Sequence, residues 1–231
     1  MKLKIFLIFL FANTTLFAQH DQNITYGIKF GGLQQRISNL PEMIIGRDNS
    51  LANYTIDNKG SYGVEGGLFL NYKLSETRVG IQTEILYRKA GDHIDYKNSI
   101  GKEYQIDISY SYLMVGGIYK VYPFDGFNFG LGTFYGVNLT PANLEYTSNE
   151  FDGQFDVATR QFYRDGINGK DDFSIAFSLG YELKKYLHCD LRYYLGVSDV
   201  IKSGSNSFQF IENKNQTSTL SFSLGYSLHE W

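Results

Sequence analysis

The 231-residue chain is poor in the features that settle many sequence readings. Its single cysteine, Cys189, excludes any disulfide within the chain and reads as a small apolar strand residue rather than a reactive thiol. No run of eighteen apolar residues exists, so a spanning helix is excluded. With 21 basic and 24 acidic residues the net charge is only −3, and the chain has no clustered basic face for nucleic acid. Gly-x-Ser-x-Gly, HExxH and phosphate-binding glycine loops are all missing. What is abundant is aromatic residues and glycine: 19 tyrosines, 18 phenylalanines and 24 glycines, in a chain 43% hydrophobic. That hydrophobic fraction excludes disorder, and the length fits one all-β domain or two small ones. Yet the mean hydropathy is −0.26, an odd pairing with so many rings.

The first residues are read apart from the fold. Lys2 and Lys4, the apolar stretch Ile5 to Ala12, and Leu16-Phe17-Ala18 before Gln19 have the layout of a secretory signal peptide, residues 1–18, with cleavage expected after Ala18. Residues 19–231 then form the mature domain, with 19 basic against 24 acidic residues and a net charge of −5. No cysteine lies at the cleavage region, so lipoprotein processing is not indicated.

Period-two alternation dominates from residue 24 onward and predicts eight strands. They are carried by Ile24 to Phe30, Tyr62 to Tyr72, Val79 to Tyr87, Tyr104 to Tyr112, Phe127 to Val137, Phe173 to Leu183, Leu187 to Val197 and Leu220 to Leu228. Connections alternate in length. Gln34 to Lys59, Gly91 to Lys102, Thr140 to Lys170 and Asp199 to Gln216 are long, whereas Ser75-Glu76-Thr77, Pro123 to Gly126 and Lys184-Lys185-Tyr186 are short. Long connections gathered at one end and short turns at the other suit a barrel threaded through a bilayer from one side. The expected fold is therefore all-β: an eight-stranded antiparallel up-and-down transmembrane β-barrel.

The two strand faces differ in chemistry. Lys29, Glu65, Arg78, Glu84, Arg88, Glu182, Asp190 and Arg192 lie on the polar face amid glycines, a set able to pair inside a narrow lumen. The apolar face carries Lys89, Lys120 and Asp199 as its exceptions, all near strand ends. Aromatics on that face sort by depth: Tyr26, Tyr72, Phe127, Tyr181 and Tyr226 toward the short turns, Tyr62, Tyr87, Tyr104 and Phe173 toward the long connections. Two such girdles match headgroup depth on either side of a bilayer. In the fourth strand, Leu113-Met114-Val115-Gly116-Gly117 is apolar or small on both faces, which predicts a bulge or change of parity.

Tyr112-Leu113, the mid-strand break, Lys120, Tyr122-Pro123, Phe127 to Gly132 and Tyr135-Gly136 together resemble the PorT-like outer-membrane β-barrel family. The resemblance spans essentially the whole mature chain and implies a small outer-membrane barrel, in a family some of whose members are linked to secretion and gliding machinery. It also implies a C-terminal aromatic signal, in phase with the lipid-facing positions, read by the barrel-assembly machinery. Trp231 falls on the other parity, so Tyr226 and Leu228 are the preferred anchors.

Chemistry is sparse. Of His20, His93, His188 and His229, only His93, beside Asp92, Asp95 and Ser99, is placed for nucleophile activation, and a solvated loop histidine is the plainer reading. Asp165 to Asp172 has oxygen-rich spacing but not that of an EF-hand, and reads as a turn-rich loop. Lys184-Lys185 is placed to contact lipid headgroups, with a solvated pair as the default. The expectation is a non-enzymatic protein of the bacterial outer membrane with no catalytic, cofactor or metal residue. Its expected partners are the bilayer, the barrel-assembly machinery during insertion and an envelope protein; nucleic acid is not among them. The alternatives are an outer-membrane lipid-modifying enzyme using His93, and a soluble lipocalin-like carrier of a hydrophobic ligand.

Overall fold

The structure, a computed structural model, describes residues 24–40, 54–74, 77–98, 101, 103–149, 154–183, 186–203 and 214–230. The expected signal peptide, the Lys184-Lys185 pair, Ser99 and Trp231 lie outside the described residues. In chain order the elements are β1 (Ile24–Ile37), β2 (Tyr54–Asn58), β3 (Ser61–Lys73), β4 (Val79–Asn98), β5 (Glu103–Phe124), β6 (Phe127–Asn138) and β7 (Leu144–Ser148). Helix α1 (Gln154–Gly166) follows, then β8 (Ile167–Gly169), β9 (Asp172–Leu183), β10 (Leu187–Gly196), β11 (Ile201–Ser203) and β12 (Thr217–Glu230).

Eight of these strands close a ring of antiparallel pairs, β1-β3-β4-β5-β6-β9-β10-β12 and back to β1. Closure pairs Ile28 with Tyr226 and Phe30 with Leu224, so no strand of the ring is left with an open edge. Short turns join one end; the two-residue turn between Phe124 and Phe127 is closed by Gly126 at φ 78°, a conformation that a Cβ disfavours.

The apolar face points outward. Ile28, Leu70, Ile85, Leu131, Phe177, Leu191 and Phe222 are exposed around the wall, while Lys29, Glu65, Glu84, Arg88, Asp190 and Arg192 are buried inside. That inside-out arrangement is a membrane wall and rules out a lipocalin-like carrier, whose apolar groups would line the interior. Among the described residues no helix is long and apolar enough to cross a membrane.

Several expectations are corrected. Arg78 is exposed at the short-turn end, donating to the Pro123 carbonyl at 2.8 Å, and does not enter the lumen. Lys120, expected on the apolar face, is inside and 1% exposed. The second long connection is mostly strand, since β4 runs to Asn98 and β5 starts at Glu103 in unbroken register from Val79↔Val121 to Lys97↔Glu103. Nor is there a bulge or parity change at Leu113 to Gly117. The even residues of β5 face inward from Tyr104 through Met114 and Ile118 to Lys120, and the register shift lies between Val121 and Phe124. Tyr104 is therefore an inner residue, not part of a girdle.

The reason is a change of surroundings along one strand. Within the wall the outward side meets lipid, so Leu113 and Tyr119 are exposed there. Beyond the wall the outward side meets water, and the inward side packs on the long connections, burying Tyr104, Ile106, Ile108 and Tyr110. Leu113-Met114-Val115 marks the crossover, where both sides are apolar.

Candidate functional site

Two constructions follow from this geometry: a charged lumen inside the wall and a crown beyond it. In the lumen, four cations (Lys29, Arg88, Lys120, Arg192) face four carboxylates (Glu65, Glu84, Asp172, Asp190), all buried. Arg192 grips Glu84 with Nη1–Oε2 at 2.5 Å and Nη2–Oε1 at 2.7 Å, a fork geometry that an arginine offers and a lysine does not. Asp190 accepts from Lys29 at 2.7 Å and from Arg192 at 3.0 Å, with Lys120 at 3.9 Å. Gln82 also donates to Glu84. Gly180, paired with Asp190 across the β9–β10 ladder, leaves the room this needs: a Cβ there would lie 2.6 Å from the Asp190 carboxylate. Higher up, Arg88 holds Glu65 at 2.7 Å and stacks 4.0 Å over the Tyr194 ring, against which Phe134 packs edge-on. Side chains thus occupy the lumen, as eight-stranded barrels require. At the short-turn mouth Lys73 meets Glu182 at 2.5 Å, and His188 bonds Ser227.

The crown is a four-stranded sheet, β2-β4-β5-β7, made where β4 and β5 outrun the wall and take on β2 and β7 as extra edges. Its inner face is an apolar core: Ile94, Ile106, Ile108 and Leu144 pack with Ile37, Leu40, Ile167, Val200 and Ile201 from the other connections. Tyr96 stacks on Tyr104 at 4.6 Å between ring centroids, and Tyr146 lies 5.9 Å from Tyr104. Asp92 ties the base together, accepting from the Ile37 N–H at 2.7 Å, the Asn58 amide at 3.1 Å and the His93 N–H at 2.9 Å. Burial pushes its carboxyl up to about 6 despite those bonds.

The outer face is polar and cross-linked. His93 lies between two carboxylates, Nδ1 to Asp107 at 2.5 Å and Nε2 to Asp95 at 3.0 Å. The Asp107 hydrogen bond and the charges of both carboxylates raise the His93 pKa above its ordinary value. Burial alone would raise Asp95, but the bond from Lys59 and the charges of His93 and Lys59 hold it below the carboxylate norm. Arg164 of α1 donates to Glu145 at 2.6 Å and to the Leu144 carbonyl at 2.9 Å, fastening the helix to the β7 edge.

Of the residues expected around His93, the structure brings Asp95 to it and adds Asp107 from the neighbouring strand, while Asp92 turns inward. Both ring nitrogens are engaged by carboxylates, which makes a charge clamp across the β4–β5 hairpin rather than a base aimed at a hydroxyl. The carboxylates of Asp165 to Asp172 do not converge: Asp171 accepts from Tyr135 at 2.5 Å and the Asn138 N–H at 3.0 Å, while Asp172 turns into the barrel to accept from Thr217 at 2.8 Å. Asp199 pairs with Lys170 at 2.5 Å on the rim. Sequence reading missed the crown, although its signal was present in Ile94 and Tyr96 alternating with Asp95 and Lys97.

A closed eight-stranded ring, apolar outside and charged inside, defines an integral β-barrel of the bacterial outer membrane. The sequence profile of the family described as Outer membrane protein beta-barrel domain matches residues 17–202, and the chain belongs to that family. Among solved structures it is similar to Ail, the attachment invasion locus protein of Yersinia pestis, at 13% identity and a TM-score of 0.42 over 90% of this chain and 100% of that one. It is also similar to the outer membrane protein OprG from Pseudomonas aeruginosa, at 14% identity and a TM-score of 0.39 over 91% and 98% of the two chains. Neisserial surface protein A is similar at 9% identity and a TM-score of 0.38, over 88% and 97%. No curated protein matches the chain.

Proposed function

We propose that the protein is a non-enzymatic display barrel whose long-connection end faces the cell exterior and whose crown is a recognition surface for an envelope or extracellular protein partner. In this reading residues 1–18 are cleaved as a signal peptide and the barrel-assembly machinery inserts the rest, with Tyr226 and Leu228 as the C-terminal anchors. The finer kinship is to PorT-like barrels.

The observation that carries the reading is the crown. A sheet with its own apolar core and with ion pairs binding its outer face together is pre-organised, so a partner would lose little ordering entropy on docking. The outer face presents Thr55, Asp57, Gln105, Glu145 and Thr147 to water, a set suited to hydrogen bonds and charge pairing. His93, with carboxylates on both nitrogens, supports the non-enzymatic assignment.

The test is photo-crosslinking in whole cells from a reactive group placed at Thr55 or Thr147, with external protease applied in parallel. Cleavage of the crown in intact cells and a discrete crosslinked protein are expected. Protection of the crown from external protease would reverse the orientation. Loss of a lipid-modifying activity in His93→Ala would overturn the non-enzymatic assignment.

A further inference from the structure

The lipid-facing wall is not uniform. Most of its large apolar residues are between about a third and just over half exposed, but on β1 and β3 Phe30 is 67%, Leu68 59%, Val64 59% and Tyr62 83% exposed. The cause is local. Gly32 and Gly66 point outward there, opposite Val64 and Phe30, and provide no side chain to cover their neighbours. The result is an apolar groove of about 800 Å³ on the outside of the barrel, floored by these glycines and walled by Phe30, Leu68, Tyr87 and Phe222. Val64 forms its upper lip and is shared with a smaller hollow of about 270 Å³ lined by Ser61, Tyr62, Lys89 and Ser109. The lower hollow is apolar and the upper one mixed, and the two meet at Val64.

The upper part carries positive charge. Lys89 sits directly beside Val64 in the β3–β4 ladder, and Arg36 lies four residues beyond Gly32 on β1, about 14 Å along the strand at ~3.4 Å per residue. Both are exposed, and neither has an ion-pair partner among the described residues. Asp92, which feels the Arg36 charge, is turned inward and already takes three hydrogen bonds. Gly32 is not required by the fold: a Cβ there would meet nothing within 4 Å.

We infer that this wall is a seat for one phosphorylated, acylated lipid of the outer leaflet, an acyl chain lying in the Gly32–Gly66 groove and its phosphate groups met by Lys89 at the groove's lip and by Arg36 further up the wall. An unpaired cation at headgroup depth is matched by a lipid phosphate, and a groove opening into hydrocarbon is matched by a tail. The seat depends on the crown facing outward, which the protease experiment above checks on its own.

The test uses the full mature chain, purified in detergent and exchanged into mixed micelles containing a hexa-acylated, bis-phosphorylated lipid A, with retained lipid read by native mass spectrometry. Gly32→Leu puts an isobutyl group into the groove from a position whose Cβ meets nothing within 4 Å, and Arg36→Glu/Lys89→Glu reverses the charge; migration on unheated gels confirms that each variant remains a folded barrel. Wild-type protein is expected to retain one lipid A, with retention falling at least tenfold in both variants and for dephosphorylated lipid A. Equal retention by wild type and Gly32→Leu would overturn the seat, as would equal retention of the phosphorylated and dephosphorylated lipids. A protein dimer abolished by Gly32→Leu, with no lipid retained, would assign the groove to a second copy of the chain and also overturn it.

Discussion

Around the lower lumen, Lys29, Lys120 and Arg192 share two carboxylates, Glu84 and Asp190. The group therefore holds one cation in excess, and the responses to losing an acid and losing a base should differ in size. Glu84→Gln keeps the shape but leaves Asp190 as the one carboxylate in ion-pair contact with all three cations. Breaking a fully buried pair in this way costs about 3–5 kcal/mol, because the remaining charge is neither solvated nor paired. At 1.4 kcal/mol per factor of ten, that is roughly two to three and a half powers of ten in the folding equilibrium. Lys120, whose ammonium stands 3.9 Å from Asp190, is the surplus cation, and Lys120→Met substitutes a similar volume without a charge. Its expected cost is below ~1 kcal/mol, with stabilisation equally in keeping with the reasoning. The double variant should be less destabilised than the two single effects added, by about 1–3 kcal/mol, since the groups share one network. Urea unfolding in lipid vesicles, read as the band shift between folded and unfolded forms on unheated gels, measures all three. Equal costs for the two single variants, or strict additivity in the double, would refute this charge count.

Three further outcomes follow from the same structure. The raised His93 pKa means that its clamp stabilises the crown fully below the ordinary histidine value of about 6.5 and that the contribution is lost as pH rises through the folded value. NMR titration of His93 should show this, with Asp107→Asn moving the midpoint down; an unmoved midpoint would contradict the clamp. Ile106→Ala, at a fully buried position of the crown, should cost about 2–5 kcal/mol of local stability, so that external protease cuts the crown several-fold faster than in the wild type while the barrel band shift persists. Ile85→Lys in mid-wall should cost about 2–4 kcal/mol in vesicles, and Tyr62→Lys at the rim about 0–1 kcal/mol; reversal of that order would misplace the membrane.

The ring was legible because its signal is strictly local: alternation such as Phe173, Ile175, Phe177, Leu179 and Tyr181 reports a two-sided wall wherever it occurs. Which side is lipid was legible from the charges on the other parity, Glu84 and Arg88 against Ile85 and Tyr87. The partner of each charge was not, since Glu84 and Arg192 are 108 residues apart and meet only through closure. Alternation likewise locates an apolar face without saying what covers it. From Tyr104 to Tyr112 that face is covered by the other connections rather than by lipid, and the same ambiguity misplaced Lys120. His93 was singled out from sequence neighbours, yet its decisive contact, Asp107, comes from the adjacent strand.

The Glu84–Arg192 pair also bears on how the barrel assembles. β4 and β10 stand four places apart in a ring of eight, diametrically opposed, so this bond spans the full bore. It cannot exist in any open sheet, however many strands have already paired. The last seam, β1 against β12, is thus the event that brings Lys29, Glu84, Asp190 and Arg192 together, and a seam slipped by two residues would carry Lys29 away from Asp190. An unpaired charge sealed from water costs several kcal/mol, so a wrongly seamed barrel is penalised at the moment it shuts. The lumen acts as a lock that accepts one register, and proofreading of the seam is built into the chain itself.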